Sequence, residues 1–203
     1  MGYMPESNRG KDFWDYVYEA GFTPWDTGEP PGELIRLVEG GYLKPCRSID
    51  IGCGTGSTVI YLASRGFEAY GLDISSVAVK KAMEKARVMG ISCKFIVADF
   101  TDTASIVNMG IRGFKLATDI GCFHSIREGP GRFSYKESLN HVLDVGGHFL
   151  LWCFKKGDYG WGPPGVDEDE VEALFSDRYE IVKKEVYSVS GRPMFFYLMI
   201  RVR

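Results

Sequence analysis

The stretch Cys46-Arg-Ser-Ile-Asp-Ile-Gly-Cys-Gly-Thr-Gly-Ser57, followed by Gly71-Leu-Asp73, has the residue types and spacing to bind a nucleoside. A short apolar run ends in Gly52, Gly54 and Gly56, with Cys53 inside the turn. Glycines let backbone approach a ligand closely because no Cβ intervenes. A helix opening near Ser57 would aim free N–H groups at the same place. Asp73, with Ile74 after it, ends a second apolar run, where a ribose diol would meet a carboxylate. Its alternative role is to cap the helix that starts at Ser75-Ser76. Asp50 lies inside the first run, and a buried carboxylate needs partners. Backbone N–H groups of the glycine turn, a cofactor amino group through water, or purely structural donors would each serve. The spacing is G-x-G-x-G, not the G-x-G-x-x-G of dinucleotide sites.

These residues need strands and helices to hold them. The pattern predicts strands at Arg47–Ile51, Glu68–Leu72, Lys94–Val97, Lys115–Ile120 and His148–Phe154. Helices are expected between them, over Thr58–Ser64, from Ser75-Ser76 to about Val88, and over Ser134–Asp144, with apolar residues at helical spacing. Two further β runs, Tyr179–Tyr187 and Met194–Val202, are joined by Ser188–Pro193 and would close the sheet as a hairpin. Asp167–Phe175 reads as an acid-opened helix, which suits the helix dipole. Upstream, residues 7–20 read as an amphipathic helix with Phe13, Tyr16, Val17 and Ala20 on one face. Residues 21–32 read as an ordered loop and Glu33–Glu39 as a short helix. Between Lys155 and Val166 the chain is rich in Gly and Pro and carries Tyr159 and Trp161. It reads either as a cover for a small apolar substrate or as a well-packed loop.

Four motifs occur in order along this frame. Ile49-Asp-Ile-Gly-Cys-Gly-Thr-Gly56 resembles the first motif of class I S-adenosylmethionine-dependent methyltransferases. Gly71-Leu-Asp-Ile-Ser75 resembles the second, Val97-Ala-Asp-Phe100 the third, and Leu143-Asp-Val-Gly-Gly-His-Phe-Leu150 the turn into strand five. Phe13-Trp-Asp-Tyr16 and Thr23-Pro-Trp-Asp-Thr-Gly28 resemble the N-terminal segment of the thiopurine and thiol/halide methyltransferase group. The resemblance implies a Rossmann-like α/β sandwich with a seven-stranded sheet, order 3-2-1-4-5-7-6, an antiparallel last strand and helices on both faces. It implies S-adenosyl-L-methionine as cofactor and S-adenosyl-L-homocysteine as product. Trp14 and Trp25 would line the cofactor pocket in a lid of residues 1–32 over a core of 33–203, one domain in all. Asp99 would recognise the adenine amino group, with Phe100 beside the ring. Ile120 and the residues after it would face the transferable methyl. The thiopurine group often carries Arg where this chain has Ile120, which argues against a thiopurine-like substrate. His124 follows on the same segment, as a general base or as a cap for the next turn. Cys122 reads as a small buried filler.

Composition narrows the partners. The chain has 203 residues, 45% hydrophobic and 25% charged, with a formal net charge of −3. That balance argues against tight nucleic-acid binding. No apolar run suits a membrane span and none reads as a signal peptide. The five cysteines are scattered without a CxxC pair, which fits reduced thiols in the cytoplasm. The three histidines share no metal-ligand spacing, so no metal site is expected. A sulfonium donor already activates its methyl, so a soft nucleophile needs only in-line placement. The sequence therefore points to methyl transfer onto a small-molecule acceptor such as a thiol or halide. Its rivals are a protein- or RNA-modifying methyltransferase, a non-catalytic cofactor-binding module and, less compatible with the glycine spacing and terminal hairpin, an NAD-dependent dehydrogenase.

Overall fold

The computed structural model describes residues 10–159 and 162–203. Helix α1 spans Lys11–Ala20 and α2 Gly32–Glu39. Then β1 (Arg47–Ile51), α3 (Ser57–Ser64), β2 (Glu68–Asp73), α4 (Ser76–Met89), β3 (Lys94–Val97), α5 (Thr103–Asn108) and β4 (Phe114–Ile120) alternate. A 3₁₀ turn, Phe123–Ser125, leads to α6 (Pro130–Val142), β5 (Leu143–Phe154), α7 (Glu168–Phe175), β6 (Tyr179–Val189) and β7 (Arg192–Arg201). The strands form one sheet in the order β3-β2-β1-β4-β5-β7-β6. The first five pair in parallel, and β7 runs antiparallel to both β5 and β6. This is the class I methyltransferase fold.

Both faces of the sheet are covered, so the central strands are apolar on both sides. Along β5, Phe149, Leu151 and Cys153 enter one core cluster while Leu150 and Trp152 enter the other. Strand β7 alternates likewise: Phe195, Tyr197 and Met199 against Phe196 and Leu198. The first cluster packs under α5, α6 and α7, and the second under α2 and α3.

Several boundaries differ from those the sequence predicts. Helix α6 begins at Pro130 rather than Ser134, because proline at the first helical position loses no hydrogen bond. Strand β5 begins at Leu143 rather than His148, through an irregular pairing in which Phe114 meets Leu143 and Leu116 meets His148. Helix α5, not expected, is nucleated by Asp102, whose side chain accepts from the Ser105 N–H at 3.1 Å. The hairpin turn is only Ser190-Gly191, both with positive φ, as a tight two-residue turn requires. The expected inner face of α1 is also wrong: Tyr16 and Ala20 are exposed, and Tyr18 is the buried residue. Residues 7–9 of that expected helix, and Trp161 of the expected acceptor loop, lie outside the described residues.

Candidate active site

The carboxyl ends of β1, β2, β3 and β4 open into a cleft of about 1550 Å³. Drug-sized ligand pockets run to roughly 300–1,000 Å³, so this one has room for a cofactor and an acceptor together. At its base, the N–H groups of Gly52 and Cys53 donate to the Leu72 carbonyl at 2.7 and 3.0 Å, tying the glycine turn to β2. Gly52, Cys53 and Gly54 line the cleft. The Cβ of an alanine at 52 would run into the side chain of Cys122 after β4. One at 54 would stand 2.7 Å from the Tyr18 hydroxyl. Gly56 departs from expectation: it does not line the cleft, and its face is closed by Phe95 and Ala82, each within 2.9 Å of an added Cβ. It serves the packing of α3 and α4 on the sheet.

Asp73 lies on the cleft, 7% exposed. Its Oδ2 accepts from the Gly54 N–H and its Oδ1 from the Ser75 N–H, both at 2.8 Å. The cap of α4 is Ser75, whose hydroxyl accepts from the Ala78 N–H at 3.1 Å. Burial raises the Asp73 pKa, and the two N–H donors pull it back. Ile74 lines the cleft beside it. Asp50 is buried at the cleft floor, but its partner is the Thr118 hydroxyl at 2.6 Å, not the glycine-turn N–H groups. Burial pushes its carboxyl up to about 8, against that hydrogen bond. Asp99 is exposed at the end of β3 and accepts from the N–H and hydroxyl of Thr101, at 2.8 and 2.7 Å. Phe100 lines the cleft but is 4% exposed and packs edge-on against Tyr135. Ile120 ends β4 on the cleft wall.

His124 reaches the cleft with its ring already engaged by the backbone. Its Nδ1 accepts the Phe154 N–H at 2.9 Å, which leaves the neutral ring's proton on Nε2. Burial, with Arg192 and Arg132 nearby, pushes its pKa down to about 3. The 3₁₀ turn that carries it is held by Asp119, which accepts from the N–H groups of Cys122 and Phe123 and from the Tyr135 hydroxyl at 2.7 Å.

The N-terminal segment closes one side. Trp14 and Trp25 meet edge to face at 5.9 Å, and both line the cleft, although Trp25 is 51% exposed. Three features that sequence reasoning missed fasten them. The Asp15 carboxylate accepts from the Ser75 hydroxyl at 2.7 Å and the Val77 N–H at 3.1 Å, so it caps α4 from outside. Asp26 accepts from the Thr55 hydroxyl at 2.7 Å, inside the glycine turn. Tyr18 places its hydroxyl against Gly54. An acid beside each tryptophan was the available signal, at Asp15 and Asp26. The other side is formed by Arg127, Phe154, Tyr159 and the hairpin residues Val189, Ser190 and Met194. The hairpin was not anticipated as part of the site, because a strand register cannot be read from periodicity.

The cleft's charge is one-sided. Among the described residues it is lined by Asp26, Glu29, Asp73, Asp99 and Asp158, with Asp50 kept neutral by burial, against a single cation, Arg127. Such a surface suits a cationic ligand such as a sulfonium and opposes the two phosphates of a dinucleotide. A parallel sheet with a glycine turn and a strand-end carboxylate at the switch of strand order defines a nucleoside-cofactor enzyme of the class I methyltransferase type. The comparisons with known proteins agree. The chain belongs to the thiopurine S-methyltransferase family, which it matches over residues 9–195, and is a methyltransferase. It is 31% identical over 163 residues to a probable thiol methyltransferase 2 of Arabidopsis thaliana, covering 79% of this chain and 69% of that one. It is 30% identical over 165 residues to a 2-heptyl-1-hydroxyquinolin-4(1H)-one methyltransferase of Mycobacteroides abscessus, covering 78% and 69%. A magnesium protoporphyrin IX methyltransferase from Synechocystis, solved with bound S-adenosylmethionine, shares the fold with a TM-score of 0.73 at 17% identity over 99% of both chains. A 1,6-didemethyltoxoflavin-N1-methyltransferase from Burkholderia thailandensis does so at 0.74 and 16%, over 95% of this chain and 87% of that one.

Proposed function

We propose that this protein transfers the methyl of S-adenosylmethionine to a small nucleophile, a thiol or another soft acceptor, without a general base. The observation that carries this reading is the acid-lined cleft, with Asp73 fixed by the Gly54 and Ser75 N–H groups at its centre. When bound, the donor supplies an electrophilic methyl on a positive sulfonium. The chain's residues then have three tasks. Asp73 receives the ribose hydroxyls, and Asp99 with the edge of Phe100 borders the adenine. Gly52, Cys53, Gly54 and Ile74 give the donor a close backbone surface, and Asp50 adds a carboxyl beneath it. Trp14 and Trp25 exclude water from above, while Ile120 and His124 border the acceptor.

His124 shapes and orients without taking a proton, because its free nitrogen is already protonated. An acceptor that kept its proton until attack would find no ready base there, whereas a thiol that has already lost its proton to solvent attacks as the thiolate and needs only placement. The names of the relatives, a thiol and a hydroxyquinolone methyltransferase, support a small acceptor. The cytoplasm is the proposed compartment, on the scattered free cysteines. No described helix is long and apolar enough to cross a membrane. The deciding experiment incubates the purified protein with methyl-labelled S-adenosylmethionine and a fractionated cell extract. Label should enter the low-molecular-weight fraction. Label confined to protein or RNA would overturn the small-molecule reading, and no transfer with intact cofactor binding would mark a non-catalytic module.

A further inference from the structure

Arg192 opens β7 and is buried, 1% exposed, although arginine is mostly a surface residue. Its guanidinium carbon lies 4.7 Å from the ring centre of Phe154 and 4.9 Å from that of Tyr159. Both rings belong to residues that line the acceptor end of the cleft. Its Nε and Nη2 donate to the Lys155 carbonyl at 3.2 and 3.0 Å. Two glycines leave room for it. A Cβ at Gly162 would stand 2.9 Å from Nη1, and one at Gly165 would stand 2.5 Å from Nη2. The strand end and the loop meet again nearby: Gly165 donates to the His124 carbonyl at 3.2 Å and Val166 to that of Phe154 at 2.9 Å.

The position follows from the hairpin. The tight Ser190-Gly191 turn pairs Val189 with Arg192 and brings Val189 and Ser190 to the cleft. One side chain thus joins the hairpin, the end of β5 and the loop after it. A lysine could keep the charge but not the planar stack on the rings.

We infer that Arg192 is a positioning residue for the methyl acceptor, holding Phe154 and Tyr159 so that they set the width of the acceptor end of the cleft. The inference rests on the reading of this cleft as a methyl-transfer site. The donor end, built from β1 to β3, does not involve Arg192. The test compares the wild type with Arg192→Met and Arg192→Lys, using benzenethiol and naphthalene-2-thiol as acceptor probes. In both variants kcat/KM for benzenethiol should fall roughly 10–100-fold, the scale of a misplaced substrate. The loss should fall on kcat as well as on KM, with adenosylhomocysteine affinity within about twofold of wild type. The preference between the two thiols should change, and amide exchange over 155–159 should quicken. Unchanged kinetics in a folded variant, full rescue by lysine, or a parallel loss of adenosylhomocysteine affinity would each overturn it. So would a wild type that methylates neither thiol. A wild type that does not bind adenosylhomocysteine would instead sink the cofactor reading on which the inference stands.

Discussion

Asp73 and Asp50 show how burial assigns two carboxylates of one sheet edge to different work. Asp73 is held by two backbone N–H groups and faces the cleft, so it is the residue proposed to meet the ribose. Asp73→Ala should weaken adenosylhomocysteine binding by roughly 1.5–3 kcal/mol, the range for hydrogen bonds to a charged group. Calorimetry on the folded variant checks this, and unchanged affinity would remove the assignment. Asp50 and Asp119 are governed by desolvation, which lifts them to about 8 and about 7. In the fold they keep protons that the unfolded chain has already lost, so the stability they give at low pH is lost progressively from about pH 4 until it is gone at 7 and 8. His124 has the opposite sign. Its pKa is depressed, so it costs stability only below its ordinary value near 6.5. Above pH 6.5 the aspartates act without that opposition. The melting temperature should therefore fall between pH 6.5 and 8.5, and Asp50→Asn should shallow the slope. An equal slope in the variant would show that Asp50 is ionised in the fold.

At the scale of elements, the N-terminal helix is fastened to the cofactor turn by polar side chains rather than by a broad apolar face. Asp15 caps α4, Asp26 bonds Thr55, and the Lys81 ammonium donates to the Tyr18 carbonyl. Desolvation opposes the ionised Asp15, yet the donors from Lys11, Ser75, Val77 and Ser76 prevail and hold its pKa well below the usual carboxylate range. Asp15→Ala should cost about 1 kcal/mol, as loss of a helix cap does. It should also speed amide exchange across residues 11–26 more than elsewhere. Adenosylhomocysteine should slow exchange over residues 10–28 in the wild type. If exchange there is equal with and without ligand, the segment only packs on the core and is no lid.

At the scale of the whole molecule, the seven strands share one continuous sheet with core on both faces. The chain is expected to unfold as one cooperative unit, with cofactor binding linked to the whole transition. A ligand at 100 times its Kd adds about 2.7 kcal/mol. For a chain of this size, 1 kcal/mol moves the midpoint about 2–4 °C. Adenosylhomocysteine at that excess should therefore raise a single thermal midpoint by roughly 5–11 °C. NAD should leave it in place, since its phosphates face the same acids. A shift with NAD alone would refute the cofactor assignment, and two separate transitions would refute the single domain.

The strand sequence, the glycine turn and Asp73 were legible because they depend on local pattern: apolar runs, turn residues and a carboxylate at a strand end. The motif order carried the sheet topology by resemblance, and the structure has that order. What depended on distant contact was not legible. Gly56 looked like its neighbours at 52 and 54, yet its open face is filled by Phe95 and Ala82 from other elements. His124 read as a base or a cap, and the Phe154 N–H that bonds its Nδ1 comes from a strand the local pattern could not place beside it. Tyr18, rather than Tyr16, turns inward because Gly54 leaves a hollow for its hydroxyl, 36 positions along the chain. Arg192 drew no reading from the sequence, and only folding sets it on two rings and a carbonyl from the loop after β5. Local pattern selects which backbone forms. Burial, hydrogen-bond partners and the pKa values that follow from them exist only once separate segments share one space.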